Sequence, residues 1–167
     1  MKNFILAFIL FALLLTVNAA PFQLNKRTIT FSPCPPSDPV DFLTVKIDPD
    51  PPVSEKSESF DVSGNLTEND ITKGKTFLFI GYADKDLNPI GDDYSQNFAE
   101  SIKAGTPFNI SASDVPTPEL PDSYFLGVGV LDPTGDPTNP YILYACALAK
   151  VGISSEKSKN FDFYKLI

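Results

Sequence analysis

Residues 43–66 read LTVKIDPDPPVSEKSESFDVSGNL, with two alternating segments on either side of a proline-rich turn. From Leu43 to Ile47 apolar residues alternate with polar ones, which is the period of a strand with one buried face. The prolines between positions 48 and 52 end that pattern because proline cannot donate to a sheet ladder. The alternation resumes at Phe60, so this segment predicts two strands joined by a turn.

The rest of the chain also favours strands over helices. It contains 16 prolines, and few segments of useful length lack a proline, a glycine or an Asx turn signal, so long helices have little room. Three later runs are apolar on both faces or largely so: Phe77–Tyr82, Tyr124–Leu131 and Tyr141–Ala149. Such runs are typical of central strands, or of strands with an apolar group against the second face. We therefore predict an all-β fold.

Several small residues fall on these apolar runs, and they leave volume that something must fill. They are Gly81, Gly127, Gly129, Ala145 and Ala147. In a close-packed interior a bulky neighbouring segment normally takes such space, and the alternative is a cavity for a ligand. The sequence does not say which face of these strands is inward.

The N-terminus has the pattern of an export signal. A charged start precedes the apolar run Phe4–Val17, which is short for a membrane span, and Val17 and Ala19 provide the small residues of a cleavage site. We expect residues 1–19 to be removed and the protein to enter the secretory pathway. An uncleaved anchor is the alternative, disfavoured because no later apolar stretch has spanning length.

Residues 20–30 form an N-terminal segment that carries the dibasic pair Lys26-Arg27. Such a pair is typical of processing sites but also occurs by chance. Removal of a pro-segment ending at Arg27 therefore stays open beside its retention.

Export determines how the two cysteines and the two glycosylation sequons are interpreted. An oxidising compartment favours a disulfide between Cys34 and Cys146, whereas a metal or redox role lacks a CxxC motif and any histidine. Asn65 is a glycosylation candidate that the strand alternation places on the solvent face. Asn109 is a weaker candidate, because its neighbours Phe108 and Ile110 have core character.

Composition disfavours catalysis and nucleic-acid binding. Without residues 1–19 the chain has 12 basic and 21 acidic residues, a formal charge of −9, and lacks the basic face that phosphate binding requires. The absence of histidine removes the commonest general base and most zinc chemistry. Asp84-Lys-Asp-Leu-Asn88 starts like a calcium loop, but Pro89 and Ser95 stand where glycine and glutamate are needed. We expect no catalytic residues, no metal and no cofactor.

The order of features from position 31 to 150 resembles the ML lipid-recognition family. Within that family the chain resembles most the fungal phosphatidylglycerol/phosphatidylinositol transfer proteins and the Niemann-Pick lysosomal sterol carrier. The landmarks are Cys34 before the first clear strand, a strand ending in Asp48-Pro-Asp-Pro-Pro52, the next strand and its polar exit at 60–67, Ile71-Thr-Lys-Gly74, Ile102-Lys-Ala-Gly105, Leu120-Pro-Asp-Ser-Tyr124 and Cys146 in the last long strand.

The resemblance implies an immunoglobulin-like β-sandwich of two antiparallel sheets, with an apolar cavity between the sheets that admits a lipid. It also implies a Cys34–Cys146 disulfide. Relatives commonly have further cysteines in mid-chain, whereas residues 94–105 have none, so the ligand class does not transfer. The extension 151–167 exceeds the family pattern, and Phe161, Phe163 and Tyr164 suggest an extra strand or a docking segment.

The expected function is non-enzymatic binding and intermembrane transfer of a lipid, either a phospholipid such as phosphatidylglycerol or phosphatidylinositol, or a sterol. The predicted lipid-binding residues are Phe77, Phe79, Phe108, Ile110, Phe125, Val128, Val130 and Leu143. The alternative is a secreted immunoglobulin-like interaction module with a packed core and no lipid. We expect a monomer that contacts membranes transiently, binds no nucleic acid, and resides outside the cell or in a vacuolar or lysosomal lumen.

Overall fold

The computed structural model describes residues 28–35, 40–153 and 162–167, and nearly all of the regular structure is β. The strands in these ranges are β1 (Phe31–Pro33), β2 (Asp41–Phe42), β3 (Thr44–Asp48), β4 (Ser57–Asn65), β5 (Phe77–Asp84), β6 (Tyr94–Asn97), β7 (Pro107–Pro116), β8 (Tyr124–Asp136) and β9 (Asn139–Val151). The predicted signal peptide and the Lys26-Arg27 pair lie outside the described residues.

The strands form two sheets. One has the order β1-β9-β8-β5-β6, with β2 also pairing on β9, and the other has the order β3-β4-β7. Every pairing is antiparallel except β2 on β9, which is parallel. The prediction of an all-β sandwich is confirmed, with this one short parallel pair as a departure. The predicted cavity between the sheets stays a prediction.

The three-stranded sheet has the alternation that the sequence predicted. In β4 the side chains of Phe60 and Val62 are buried while Asp61 is exposed. On β7 the pairing shifts opposite Glu58 and Phe60, where Asp114 has a positive φ of 57°. This bulge inserts one extra residue and brings both Ala112 and Val115 to the buried side.

The inner face of the six-stranded sheet meets that surface. Its inward residues come from β5, β8 and β9 and lie side by side across the register: Leu78, Ile80 and Tyr82; Val130, Val128 and Leu126; Ala145, Ala147 and Ala149. These residues and the buried side chains of β4 and β7 form one apolar cluster, here called the inter-sheet core. The alanines of β9 are its smallest members.

The outer face of the same sheet is covered by the C-terminal segment 162–167. This segment contains a 3₁₀ turn, Phe163–Lys165. Of the two expectations for the C-terminal extension, an extra strand or a docking segment, residues 162–167 match the second. Phe163 and Leu166 are buried against Gly81, Gly127 and Gly129, where an added Cβ would lie within 2.7–3.3 Å of one of these two side chains. A bulky segment therefore fills the space that the glycines leave. Phe161 lies outside the described residues.

A disulfide joins Cys34 to Cys146 with a Cα–Cα distance of 6.0 Å, as predicted. It connects the end of β1 to the middle of β9, on the outer side of the six-stranded sheet where Cys146 packs near Leu148. The bond fits an oxidising compartment such as the secretory pathway. Among the described residues, no helix has the length and apolar character needed to cross a membrane.

Candidate functional site

The eight predicted lipid-binding residues do not line one space. Four belong to the inter-sheet core: Phe108, Ile110, Val128 and Val130. The other four face the opposite side of the six-stranded sheet, towards the C-terminal segment: Phe77, Phe79, Phe125 and Leu143. The expectation that all eight residues contact a lipid between the sheets is therefore corrected. It arose because β5, β8 and β9 are apolar on both faces, and the prediction included residues from both faces.

A cleft of about 1080 Å³ opens at one end of the sandwich. Its walls come from four parts of the chain: residues 28–30 before β1, the β3–β4 connection, the β7–β8 connection, and the end of β9 with the residues that follow it. The Ile29 amide donates to Asp50 Oδ1 at 2.9 Å, and the Leu120 amide donates to Ser54 Oγ at 2.9 Å. These bonds tie neighbouring walls together, so the cleft has a defined shape.

The apolar lining of the cleft continues into the inter-sheet core. Ile29, Leu120 and Val151 line the cleft and also pack against that core. Tyr124 is a member of the core, is 4% exposed, and lines the cleft as well. The rim has charged side chains of both signs, Asp122 and Lys150. The cleft is thus an amphipathic entrance at the edge of an apolar interior.

A buried carboxylate lies behind Tyr124. Glu58 is 2% exposed, and its Oε2 accepts hydrogen bonds from Tyr82 Oη at 2.8 Å and Thr117 Oγ1 at 3.3 Å. Its Oε1 has no hydrogen-bond partner among the described residues. The rings of Tyr82 and Tyr124 lie 6.2 Å apart, so Glu58 is connected to the cleft lining through these two tyrosines.

Burial dominates the electrostatics of this cluster. It raises the pKa of Glu58 to about 7, with a contribution from the negative charge of Asp50, although the bonds from Tyr82 and Thr117 oppose the shift. Burial and the Glu58 charge raise the pKa of Tyr124 to about 12 and hold that of Tyr82 well above its usual value. Near neutral pH Glu58 therefore exists in both protonation states.

The sequence analysis missed Glu58, although a signal for it is present. Counting back by two from Val62 and Phe60 on the buried face of β4 reaches position 58. A carboxylate at an inward position of a half-buried strand is unusual enough to mark a functional candidate.

A smaller cavity of about 230 Å³ lies on the other side of the six-stranded sheet. It is lined by Phe77, Phe79, Tyr141 and Ile167 together with polar residues of the β6 region. Two of the predicted lipid-binding residues thus contact this cavity and not the inter-sheet core. Its volume suits a small group and not a whole lipid.

Both sequon asparagines are exposed on the outer face of the three-stranded sheet. Asn65 ends β4, and Asn109 lies on β7 between the buried Phe108 and Ile110, opposite Ser63. This surface is polar, since a shallow depression there is lined by Asp61, Ser111 and similar side chains. Glycans at either asparagine would leave the core and the cleft undisturbed.

The aspartate-rich connection after β5 is a turn. Asp84 Oδ1 accepts from the amides of Asp86 and Asn88 at 2.8 and 3.0 Å, so its carboxylate serves the local backbone. Within the described ranges, no group of three or more histidine, cysteine, aspartate or glutamate side chains has the arrangement of a metal site.

The fold and the cleft define an all-β sandwich with an amphipathic opening at one end. No protein-family model matches this chain, and no curated protein sequence matches it either.

Proposed function

We propose that this protein is a secreted or lumenal lipid-binding protein that carries a phospholipid or a sterol between membranes, without chemical conversion. The lipid enters through the end cleft, and its apolar part lies between the two sheets. This proposal extends the resemblance of residues 31–150 to the ML lipid-recognition family. The protein acts as a monomer, contacts membranes transiently, and carries glycans on the outer face of the three-stranded sheet.

One observation supports this proposal above all: the apolar wall of the cleft is continuous with the inter-sheet core through Ile29, Leu120, Val151 and Tyr124. A cleft of about 1080 Å³ is also large enough for a lipid, since ligand sites commonly span about 300–1,000 Å³. Burial of apolar surface would drive binding at about 25 cal/mol per Å², so affinity should follow chain length.

The inner residues available to the ligand are Phe108, Ile110, Val128 and Val130, in the same core as the alanines of β9. Val45 and Ile47 on β3 pack against the core but are only partly buried. Because these two residues are only partly buried, we expect a ligand chain to extend towards the β3 edge.

A specific observation favours the alternative interaction module. The members of the inter-sheet core are 0–8% exposed, as expected if their own side chains fill the space. A packed sandwich would act through its surface and would bind no lipid. The two functions therefore differ in one measurable property, which is whether the protein contains or takes up an apolar molecule.

Purified protein from a eukaryotic secretory host should be extracted with organic solvent and the extract analysed by lipid mass spectrometry. Uptake of fluorescent phospholipid and sterol should be measured in parallel for the wild type, Leu120→Asp and Ile142→Asp. Leu120 lines the cleft, whereas Ile142 is an exposed apolar residue on β9 outside it. We expect a bound lipid in the extract, and at least about tenfold weaker uptake for Leu120→Asp alone, because an unpaired carboxylate in an apolar contact costs more than 1.4 kcal/mol.

Protein that yields no lipid and takes up neither probe would refute the carrier and leave the interaction module. Equal losses in both variants would contradict entry through the cleft. Circular dichroism of both variants should be measured to check that each retains the fold.

A further inference from the structure

The Glu58 carboxyl group is almost fully buried but only half satisfied. Oε2 has two hydroxyl donors, Tyr82 and Thr117, while Oε1 has no partner among the described residues. A buried polar atom without a hydrogen bond costs about 1–3 kcal/mol, so a hydrogen-bonding group that reaches Oε1 would be stabilised there.

The position of Glu58 relates this unsatisfied atom to the cleft. Tyr82 bonds directly to Glu58 and stacks at a tilt against Tyr124, which lines the cleft. Thr117 belongs to the β7–β8 connection, whose Pro118 carbonyl accepts from Ser54 Oγ in the cleft wall at 3.3 Å. The carboxyl group is therefore held by the same elements that form the entrance.

We propose that Glu58 Oε1 hydrogen-bonds a hydroxyl group at the end of an uncharged apolar ligand, such as a sterol, a diacylglycerol or a long-chain alcohol. This inference rests on the proposed lipid-binding function and narrows its ligand class. The ligand hydroxyl reaches the carboxyl group past Tyr124, while the apolar body lies in the inter-sheet core and the cleft.

The choice of a hydroxyl follows from the chemistry around Glu58. The titratable groups that act on it are Asp50 from the β3–β4 connection, Tyr82 from β5 and Tyr124 from β8. Asp50 and Glu58 would repel a ligand carboxylate or phosphate at this depth. A hydroxyl both donates and accepts, so it satisfies Oε1 whether Glu58 is ionised or protonated.

The test compares 1-tetradecanol with its methyl ether, which keeps the chain and the oxygen but lacks the donor. Each compound is titrated against bound N-phenyl-1-naphthylamine, a neutral fluorescent probe, using the full secreted protein. At pH 8.5 the ionised Oε1 can only accept, so we expect the alcohol to bind at least about tenfold more tightly than the ether, as for one lost hydrogen bond at a buried polar group.

Glu58→Gln should reduce that preference to within about twofold. The amide oxygen keeps the Tyr82 and Thr117 bonds, and the amide nitrogen in place of Oε1 donates equally to an alcohol or an ether. Asp132→Asn is the matched control. Asp132 is also buried with an unpartnered Oδ1, but it lies eight residues from Tyr124 along β8, roughly 26 Å at the usual strand rise. This control should keep the preference of the wild type.

The wild type provides a second test that does not depend on a variant folding. At pH 5.5 Glu58 is protonated and can donate from Oε1 to either compound, so the alcohol preference should fall towards one. Equal binding of alcohol and ether at pH 8.5 would overturn the role of Glu58 while leaving the lipid carrier intact. Failure of the probe and of both alkyl compounds to bind would overturn the carrier itself.

Discussion

At the scale of single residues, Glu58 is the buried carboxylate on which the proposed ligand contact depends. It lies at an inward position of β4, where the pattern of the strand requires an apolar group. The fold tolerates it by supplying two hydroxyl donors to one oxygen and by raising its pKa to about 7. Burial of this carboxylate therefore lowers the stability of the folded protein, and it places a polar group inside an apolar end of the sandwich.

This arrangement predicts a pH-dependent stability difference between the wild type and Glu58→Gln. Because the folded pKa lies above the unfolded value of 4.5, the folded state holds its proton more tightly, and the Glu58 contribution to stability falls as pH rises from about 4.5 to 7. We expect Glu58→Gln to gain about 2–3 kcal/mol relative to the wild type between pH 4.5 and pH 8.

Urea unfolding at the two pH values measures this difference. Glu119→Gln, a neutralisation at an exposed residue, serves as the control and should not reproduce the gain. A constant difference between wild type and Glu58→Gln across pH would show that Glu58 has no raised pKa in the folded protein.

At the scale of elements, the strands could be predicted from the sequence, but their buried faces could be predicted for only one sheet. In β4 and β7 one face is polar, so alternation alone assigns the inward side. In β5, β8 and β9 one face packs on the other sheet and the second packs under the C-terminal segment. The contact of Phe163 and Leu166 with the glycines marks the outer face, and contacts this distant in sequence leave no local pattern.

The glycine contact predicts strong energetic coupling between β8 and the C-terminal segment. A Cβ at Gly129 would lie 2.7 Å from Phe163 Cζ, so Gly129→Ala should destabilise the fold by about 1–3 kcal/mol through overpacking. In a Phe163→Ala background the same change should cost much less, because the ring that it displaces is gone.

A double-mutant cycle by chemical denaturation measures this coupling. Gly105→Ala is a useful comparison, since its Cβ would meet nothing within 4 Å and its cost comes from the positive φ of 80° alone. Additive effects of Gly129→Ala and Phe163→Ala would refute docking of the segment on this face.

At the scale of the whole molecule, the negative charge of the chain would oppose the lipid transfer that we propose. The chain has a formal charge of −8 at pH 7, with acidic residues spread over both sheets and the connections. In the proposed carrier the cleft would have to approach a membrane closely enough for a lipid to cross, and an anionic membrane repels an acidic protein. Protonation of carboxylates lowers this barrier, so the compartment in which the protein works determines its rate.

Transfer between anionic vesicles should therefore be faster near pH 5 than at pH 7.5. The expected gain is about fivefold, because removal of one charge near an anionic surface is worth about 1 kcal/mol. Fluorescent-lipid transfer between vesicles containing phosphatidylglycerol measures it, and neutral phosphatidylcholine vesicles are the matched comparison. The pH effect should shrink with neutral vesicles and in high salt, since both weaken the repulsion. If it persists on neutral vesicles and disappears in Glu58→Gln, protonation of the buried carboxyl group controls transfer, and a flat profile on both vesicle types would contradict the electrostatic account.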